Sequence, residues 1–321
     1  MFNVLVKNIK RNLSILLAAA AIFYLALSFY FDSDLVFAFF GEFNFDLLPL
    51  ILLLALLNFN LRFLRWEYLL RYLNVEIKIK DSVGIFFSNL IMLATPGAMG
   101  ELYKSYLVKK LTNEPMSKTA PIIFTERLND FIMLTILSLA GAILLDQNFV
   151  IIIFAAVLFT AFVFILTNKT ITPKILTLLS RIKFLHKYLE QINTAYTSFH
   201  QILGVKSFAV TLLMSFLSWM LECLSVYFVF YALGINVEFI WTIFAYAFSI
   251  LFGSLTALPA GLGVTDGSLI FLISDLGYKQ STAVAAAIFI RLATLWFAVL
   301  VGSITMMIFR KRFNFNEQNF N

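Results

Sequence analysis

Long apolar runs separated by short polar linkers dominate the chain. Runs of transmembrane length occupy residues 13–31, 47–64, 121–145, 149–167, 207–232 and 282–309. A helix of about 20 apolar residues is long enough to cross the hydrocarbon core of a bilayer. The pattern therefore predicts an all-α polytopic membrane protein with about six transmembrane helices.

Two further apolar stretches, at residues 84–94 and 244–257, each end in a Pro-Gly segment. Proline lacks an amide proton and glycine lacks a β-carbon, so each segment should break its helix and free backbone groups. In hydrocarbon, such breaks are tolerated only inside protein or beside a wet cavity. We therefore predict that both segments line a site. Their residues are Pro96, Gly97, Gly100 and Glu101 in the first segment, and Pro259, Gly261, Gly263 and Asp266 in the second.

Lysine and arginine alternate between the linkers. The linkers at 32–46, 146–148 and 233–240 carry none of them, and cytoplasmic loops of membrane proteins carry the excess. The alternation predicts cytoplasmic N- and C-termini in a multi-pass protein of a prokaryotic plasma membrane. It also makes the net charge of +6 a topology signal and a lipid contact, so no nucleic-acid partner is expected. The basic clusters lie at residues 7–11, 62–80, 104–118, 169–206 and 310–312.

The same alternation orients the two Pro-Gly stretches. The first should enter and leave the membrane from the cytoplasm, and the second from outside. We predict two oppositely oriented re-entrant helical hairpins in an inverted repeat, within a single membrane domain over residues 1–321. The repeats cover about 47–145 and 207–309, and the amphipathic segment 169–206 should lie on the cytoplasmic membrane face.

Ionisable residues within or beside the apolar runs are the candidate binding residues, because each costs at least ~2.5–3.5 kcal/mol at a helix centre. A guanidinium fork binds two phosphate oxygens at once, so Arg127 and Arg291 are the predicted phosphate ligands. Arg62 and Arg65 are interpreted instead as interfacial residues at the cytoplasmic end of a helix. A purely structural ion pair at Arg291 and helix-dipole placement of Glu126 stay open. The acidic candidates are Glu101, Glu126, Asp130, Glu222 and Asp266.

No cofactor or metal is expected. The single cysteine, Cys223, lies in an apolar run, and His186 and His200 lack the spacing of metal ligands. The chain has no Gly-x-x-x-x-Gly-Lys-Ser/Thr segment, so transport should be downhill or coupled to an ion gradient. It also lacks a constellation of His, Cys or Ser with a base, so an enzyme is not the first expectation.

Three features together resemble a known family: the hairpin ending in Gly100-Glu101, the Glu126-Arg127-x-x-Asp130 cluster, and the second Pro-x-Gly-x-Gly hairpin. The set is similar to the lysylphosphatidylglycerol synthase transmembrane region, a flippase-like integral membrane family, over about residues 10–310. The resemblance implies movement of lipids such as aminoacylated phosphatidylglycerol between leaflets. It does not imply lysyl transfer, because residues 1–321 contain no soluble synthase domain. Lys104 and Asp266 stand where the family often has arginine and glutamate.

Three functions are open at this point. The leading hypothesis is translocation of a phosphate-containing lipid, such as an aminoacylated phospholipid or a polyprenyl-linked glycan, through a midplane cleft formed by the two hairpins. The second is a membrane-embedded, lipid-modifying transferase. The third is a membrane subunit that docks a soluble synthase or glycosyltransferase. A membrane lipid is the expected substrate, and a homodimer is left open.

Overall fold

The computed structural model describes residues 41–94, 100–145, 189–256, 258–310 and 312–313. These residues form helices joined by short turns, and no strand occurs among them. The all-α prediction is confirmed for this part of the chain. In chain order the α-helices are α1 (Leu48–Tyr72), α2 (Ile79–Ser88), α3 (Tyr103–Thr112), α4 (Met116–Leu144), α5 (Leu189–Ile202), α6 (Val205–Ala232), α7 (Phe239–Leu255), α8 (Val264–Asp275), α9 (Gln280–Arg291) and α10 (Phe297–Phe309).

Four helical segments are long and apolar enough to cross a bilayer, and they coincide with four of the predicted spans. Each has 28–30 residues and is therefore about 42–45 Å long, more than the ~30 Å of the hydrocarbon core. The other two predicted spans, at 13–31 and 149–167, lie outside the described residues. The four segments are Phe45–Tyr72, Met116–Leu144, Val205–Ala232 and Gln280–Phe309.

The outer surface of these helices is apolar. Large hydrophobic side chains stand exposed along α4, α6, α8 and α10, which is the surface that lipid chains would cover. The described residues thus form a multi-pass membrane fold. Examples, all more than half exposed, are Phe124, Ile143, Leu144, Leu213, Phe271, Met307 and Ile308.

The second Pro-Gly segment breaks its helix as predicted. After α7 ends at Leu255, Pro259–Gly261 forms a single 3-10 turn, and Ala260, Gly261 and Gly263 all have positive φ. Gly261 also lies against Thr265, so a β-carbon there would crowd that hydroxyl. α8 then starts at Val264 and packs back against α7. The glycines therefore allow two packed helices to be joined by a short turn.

The α-helix that precedes the first Pro-Gly segment ends before that segment is reached. α2 ends at Ser88 and continues as a 3-10 helix, Asn89–Ala94, and the chain is described again from Gly100, just before α3. Pro96 and Gly97 lie outside the described residues. The 3-10 helix Asn89–Ala94 contacts the turn Pro259–Gly261, so the two breaks meet each other.

Each break is docked on a helix from the other predicted repeat. α2 and the following 3-10 helix pack on α10, where a β-carbon at Gly302 would lie 2.6 Å from the backbone nitrogen of Ile91. α7 packs on α4, where a β-carbon at Gly141 would lie 2.6 Å from the β-carbon of Phe244. In addition, α1 packs along α6. The docking of the first break on α10 thus has a counterpart in the docking of the second break on α4.

Two apolar clusters hold this arrangement together. One is built around α6, α7 and α9, with Phe230 and Tyr246 buried at its centre. The other is built around α1, α2 and α3, with Trp66 and Leu107 buried at its centre. α5, the described part of the predicted segment 169–206, packs against α4. Between these packed regions lies a polar interior.

Candidate functional site

A cavity of about 300 Å³ opens between the two breaks and the helices that hold them. Its wall combines charged side chains with apolar ones, as expected for a site that orients a polar ligand beside hydrocarbon. The charged lining residues are Arg62, Arg65, Lys104, Arg127, Arg291, Glu101, Glu126 and Glu222. The apolar lining residues include Phe59, Phe86, Leu90, Leu93, Ile250, Leu258 and Leu295.

Each break carries a carboxylate that pairs with an arginine on the following long helix. Glu101 accepts hydrogen bonds from Nε of Arg127, at 3.2 Å, and from its Nη2. Asp266 accepts them from Nε of Arg291 at 2.7 Å and from its Nη2 at 3.3 Å. The partners are 26 and 25 residues apart, and each arginine has the same position in its helix, counted from the first residue of α4 and of α9. The two pairs are therefore counterparts.

The helices that carry these two arginines each have an irregular feature near the arginine. α4 starts at Met116, after an extended Pro115, and not at Pro121 as the sequence suggested. Pro121 lies in the second turn, where its missing amide removes only one helical hydrogen bond near the helix start. On the other side, α9 runs into a π-helical turn, Leu292–Trp296, directly after Arg291. Such turns alter the direction of side chains and recur at functional sites.

α1 and α6 contribute polar residues at matching positions, counted from the first residue of each helix. Three positions in α1 correspond to three in α6, and all of these residues take part in the polar interior. The matching pairs are Asn58 with Ser215, Arg62 with Trp219, and Arg65 with Glu222.

The contacts between these positions are mirrored as well. Nδ2 of Asn58 donates to Oε2 of Glu222 at 2.6 Å. In the mirrored contact, Nη1 of Arg65 donates to the hydroxyl of Ser215. A rotation that exchanges α1 and α6 would therefore place each contact on the positions of the other, as a two-fold axis between the helices would.

Arg62 occupies the middle of this contact. Its guanidinium lies 4.7 Å from the ring centroid of Trp219, a cation–π distance. It also donates to Glu222 at 3.0 Å and to Asp130 at 3.4 Å. Since Arg65 donates to Asp130 at 2.7 Å, one carboxylate on α4 holds both arginines of α1.

Lys104 and Glu126 form a second buried pair. The ammonium of Lys104 lies 2.7 Å from Oε2 of Glu126, and the two side chains are only 5% and 3% exposed. Two rings hold the ammonium from other directions, at 4.6 Å for Trp66 and 5.3 Å for Phe86. Oε1 of Glu126 has no hydrogen-bond partner in the part of the chain that is described.

The charges divide unequally between the cavity surface and the layer behind it. Five cations and three carboxylates line the cavity, whereas Asp130 and Asp266 pair with the arginines from behind. The surface that a ligand would meet therefore has a positive excess, and arginine forks suit phosphate oxygens. No group of three or more His, Cys, Asp or Glu with the geometry of a metal site occurs among the described residues.

A family model described as the lysylphosphatidylglycerol synthase TM region matches residues 13–302. The chain belongs to this family. The sequence resemblance is thereby confirmed. Membership, together with the four membrane-length helices, makes this family member a multi-pass membrane protein and is consistent with a role connected to membrane lipids.

Its relatives include archaeal proteins described as UPF0104 membrane proteins. MJ1078 of Methanocaldococcus jannaschii is 28% identical over 235 residues, which cover 70% of this chain and 94% of that protein. PH1989 of Pyrococcus horikoshii is 26% identical over 292 residues, covering 81% and 87%. A protein of Methanothermobacter thermautotrophicus is 26% identical over 267 residues, covering 76% and 77%.

The site residues predicted from the sequence of this family member fall into three groups. Those that line the cavity are Glu101, Glu126, Arg127, Glu222, Gly261 and Arg291. Those that lie behind its wall or beside it are Gly100, Asp130, Pro259, Gly263 and Asp266. Pro96 and Gly97 lie outside the described residues.

Three cations of the cavity were not among the predicted site residues. Arg62 and Arg65 were expected at the membrane interface, but their side chains are 14% and 3% exposed and face the polar interior. Lys104 was noted only as a departure from the family pattern. The available signal was the spacing of Asn58, Arg62 and Arg65, which places three polar residues on one face of an otherwise apolar helix.

Proposed function

We propose that this protein moves a phosphate-containing lipid between the leaflets of the membrane, with the head group in the cavity and the acyl or polyprenyl chains in the bilayer. One observation carries the proposal: five cations converge on a partly apolar cavity between membrane-length helices. Cations inside a membrane domain are costly, so their convergence on one space favours a ligand role.

The two break-linked arginines would hold the phosphate from opposite halves. The side chain of Arg127 is 41% exposed and that of Arg291 only 6%, so Arg127 would meet an incoming phosphate first. Glu101 would yield its hydrogen bonds from Arg127 to the phosphate oxygens. Without a lipid, the carboxylates keep the guanidinium groups paired, which avoids the cost of isolated buried charges.

Alternating access would follow from the mirrored contacts between the halves. In the proposed topology the two breaks are re-entrant hairpins that enter from opposite membrane faces and meet at the cavity. Exchange of the conformations of the two halves would close the cavity on one side and open it on the other. The stacked pair of Arg62 and Trp219 lies where such an exchange changes least, because the two residues occupy matching positions.

The proposed orientation follows from the basic clusters. Arg71, Lys78 and Lys80 lie around the end of α1 and the start of α2, and the first hairpin would enter from this cytoplasmic side. The acidic residues Asp46 and Glu238 lie just before the first residues of α1 and α7. In the proposed topology both helix starts are on the outer side of a prokaryotic plasma membrane.

The test is lipid exchange between leaflets in proteoliposomes. Vesicles would contain phosphatidylglycerol with a fluorophore on one acyl chain, and a membrane-impermeant reductant would report the outer-leaflet fraction over time. Wild type should exchange the lipid faster than empty vesicles. Arg127→Gln should reduce the rate at least ~10-fold, because charge-assisted hydrogen bonds contribute about 1.5–3 kcal/mol and 1.4 kcal/mol is a factor of ten.

Arg71→Gln is the matched control. Arg71 is also an arginine paired with a glutamate, Glu67, but its side chain is 71% exposed and it does not line the cavity. The control should exchange lipid at the wild-type rate. If wild type is no faster than empty vesicles, autonomous translocation is wrong. Mass spectrometry of the same lipids would then show whether a chemical product forms, which is the result that the transferase hypothesis requires.

A further inference from the structure

Two acceptor atoms in the cavity wall have no hydrogen-bond partner among the described residues. They are Oε1 of Glu126 and Oδ1 of Asn89. Both residues line the cavity, and they are only 3% and 4% exposed. Buried polar atoms are almost always satisfied in native proteins, so two such acceptors beside one cavity point to something that donates to them.

The carboxylate of Glu126 is held in place by its surroundings, and Asn89 lies on a neighbouring element. Oε2 of Glu126 is bound to Lys104, whose ammonium is itself fixed by the rings of Trp66 and Phe86, so the carboxylate has little freedom to turn. Asn89 begins the 3-10 helix that follows α2, one turn after Phe86. Phe86 also lines the cavity, and it connects the surroundings of the two acceptors.

The cavity is therefore complementary to two kinds of ligand atom, hydrogen-bond acceptors and hydrogen-bond donors. An ionised phosphodiester has oxygens that only accept hydrogen bonds, and these suit the arginines. The same oxygens are repelled by the free acceptors of Glu126 and Asn89. A hydroxyl or a primary amine would donate to those acceptors, and a head group that carries one would satisfy both sets at once.

We propose that the head group bound in this cavity carries a hydrogen-bond donor, either a hydroxyl or an amine, close to its phosphate, and that Glu126 and Asn89 select for it. The inference rests on the proposed translocation function and narrows its substrate class. The cavity of about 300 Å³ is at the lower end of the ~300–1,000 Å³ typical of ligand pockets, so the donor and the phosphate must belong to one compact head group.

Matched lipids with identical fluorescent acyl chains would test this in the exchange assay. Phosphatidylethanolamine and phosphatidylcholine are both zwitterions, but only the first has N–H donors. Phosphatidylglycerol and phosphatidylpropanol are both anions, but only the first has hydroxyls. N,N-dimethylphosphatidylethanolamine is nearly as large as phosphatidylcholine and keeps one N–H, so it separates the donor from the size of the head group.

The donor-bearing lipid of at least one pair should exchange 10-fold faster than its partner. If the ethanolamine pair differs, the dimethyl lipid should behave like phosphatidylethanolamine, and the ligand is an amine. If only the glycerol pair differs, the ligand is a hydroxyl. Equal rates within both pairs would overturn the inference, with water as the donor to the two acceptors, while translocation itself would stand. Absence of exchange for every lipid would instead contradict the translocation proposal.

Two variants test the assignment to residues. Asn89→Leu removes the acceptor at similar size, and Glu126→Gln weakens the other one. Each should reduce the preference for the donor-bearing lipid, measured as the ratio of its exchange rate to that of its partner, at least 3-fold. Glu67→Gln is the control, since Glu67 is also a buried glutamate, bound by Ser82 and Arg71 away from the cavity. If Glu126→Gln does not fold, Asn89→Leu alone decides, and an unchanged preference in it would contradict the assignment.

Discussion

The two broken helices share one design but differ in what surrounds their ion pairs. In the second half, Asp266 and Arg291 are almost completely enclosed, with side chains 1% and 6% exposed. In the first half, the side chain of Arg127 is 41% exposed and its partner Glu101 lies at the cavity. The second pair is therefore the more enclosed of the two, and the arginine of the first pair is the one that an incoming ligand reaches first.

The neighbours of the two arginines sharpen this difference. In α4, Glu126 precedes Arg127 and Asp130 follows it by three residues. The same positions around Arg291 are Ile290 and Thr294. The additional charges beside the arginine thus belong to the first half alone, which teaches that two similarly built ion pairs can be placed in surroundings of different polarity.

The largest expected effect is on stability in the second half. Arg291→Ala removes the arginine that a fully buried Asp266 faces, and breaking such a pair costs about 3–5 kcal/mol. Arg127→Ala should cost clearly less, because the side chain of Arg127 is 41% exposed and water from the cavity can take its place beside Glu101. Thermal unfolding and the yield of monodisperse protein in detergent measure both. The double variant Asp266→Asn/Arg291→Gln should recover most of the loss, and equal losses at Arg127 and Arg291 would contradict the comparison.

A smaller effect is expected where the breaks dock on the opposite half. Gly302→Ala and Gly141→Ala should each cost about 1–3 kcal/mol through overpacking, because the new methyl group meets neighbouring backbone. Gly302→Ala should also slow lipid exchange more than Gly141→Ala, since it displaces the 3-10 helix that carries Asn89. Gly267→Ala is the control, because nothing lies within 4 Å of its new β-carbon. A greater effect of Gly141→Ala on exchange would contradict the expectation that the first break contributes more to lipid exchange than the second.

The smallest effect concerns two polar contacts that lie near helix ends, one charged and one neutral. Arg312, which follows α10, forms an ion pair with Asp81 of α2, and its hydrogen bond keeps the pKa of Asp81 below the usual value although burial opposes this. The resulting stability is present above the unfolded pKa of about 3.9 and is lost as the pH falls through the lower folded value. Arg312→Gln should therefore flatten the dependence of the unfolding temperature on pH below about 5.

A second polar contact, within the second half, is neutral. The hydroxyl of Tyr278 accepts from the backbone N–H of Asn236 at 2.9 Å and also contacts its carbonyl oxygen. Tyr278→Phe should lower the unfolding temperature without changing its dependence on acid pH. A change of slope in this control would show that the acid sensitivity does not come from Asp81.

The sequence was sufficient for the four spans and the second break that the structure describes, because both depend on local properties. An apolar run of membrane length forms a helix wherever it lies, and Pro259, Gly261 and Gly263 interrupt it through their own backbone restrictions. The partners of the charged residues were harder to predict. Glu222 and Asn58 are 164 residues apart, and no spacing rule connects them.

Arg62 and Arg65 illustrate the second difficulty. A basic residue near the end of an apolar run usually marks the end of the membrane helix, and that rule placed both at the interface. α1 continues to Tyr72, so these arginines lie within the helix and not at its end. The carboxylate of Asp130, which compensates them, comes from a helix whose packing the sequence alone does not define.

The stacking of Arg62 on Trp219 has a consequence for the symmetry between α1 and α6. Where a two-fold axis passes between two helices, a residue near it meets its own counterpart, as in a symmetric dimer. Two arginines there would repel each other, and two tryptophans would leave Glu222 without its arginine. The observed contact between unlike residues is attractive. Two helices of one chain can differ at matching positions in this way, whereas the identical subunits of a symmetric dimer cannot.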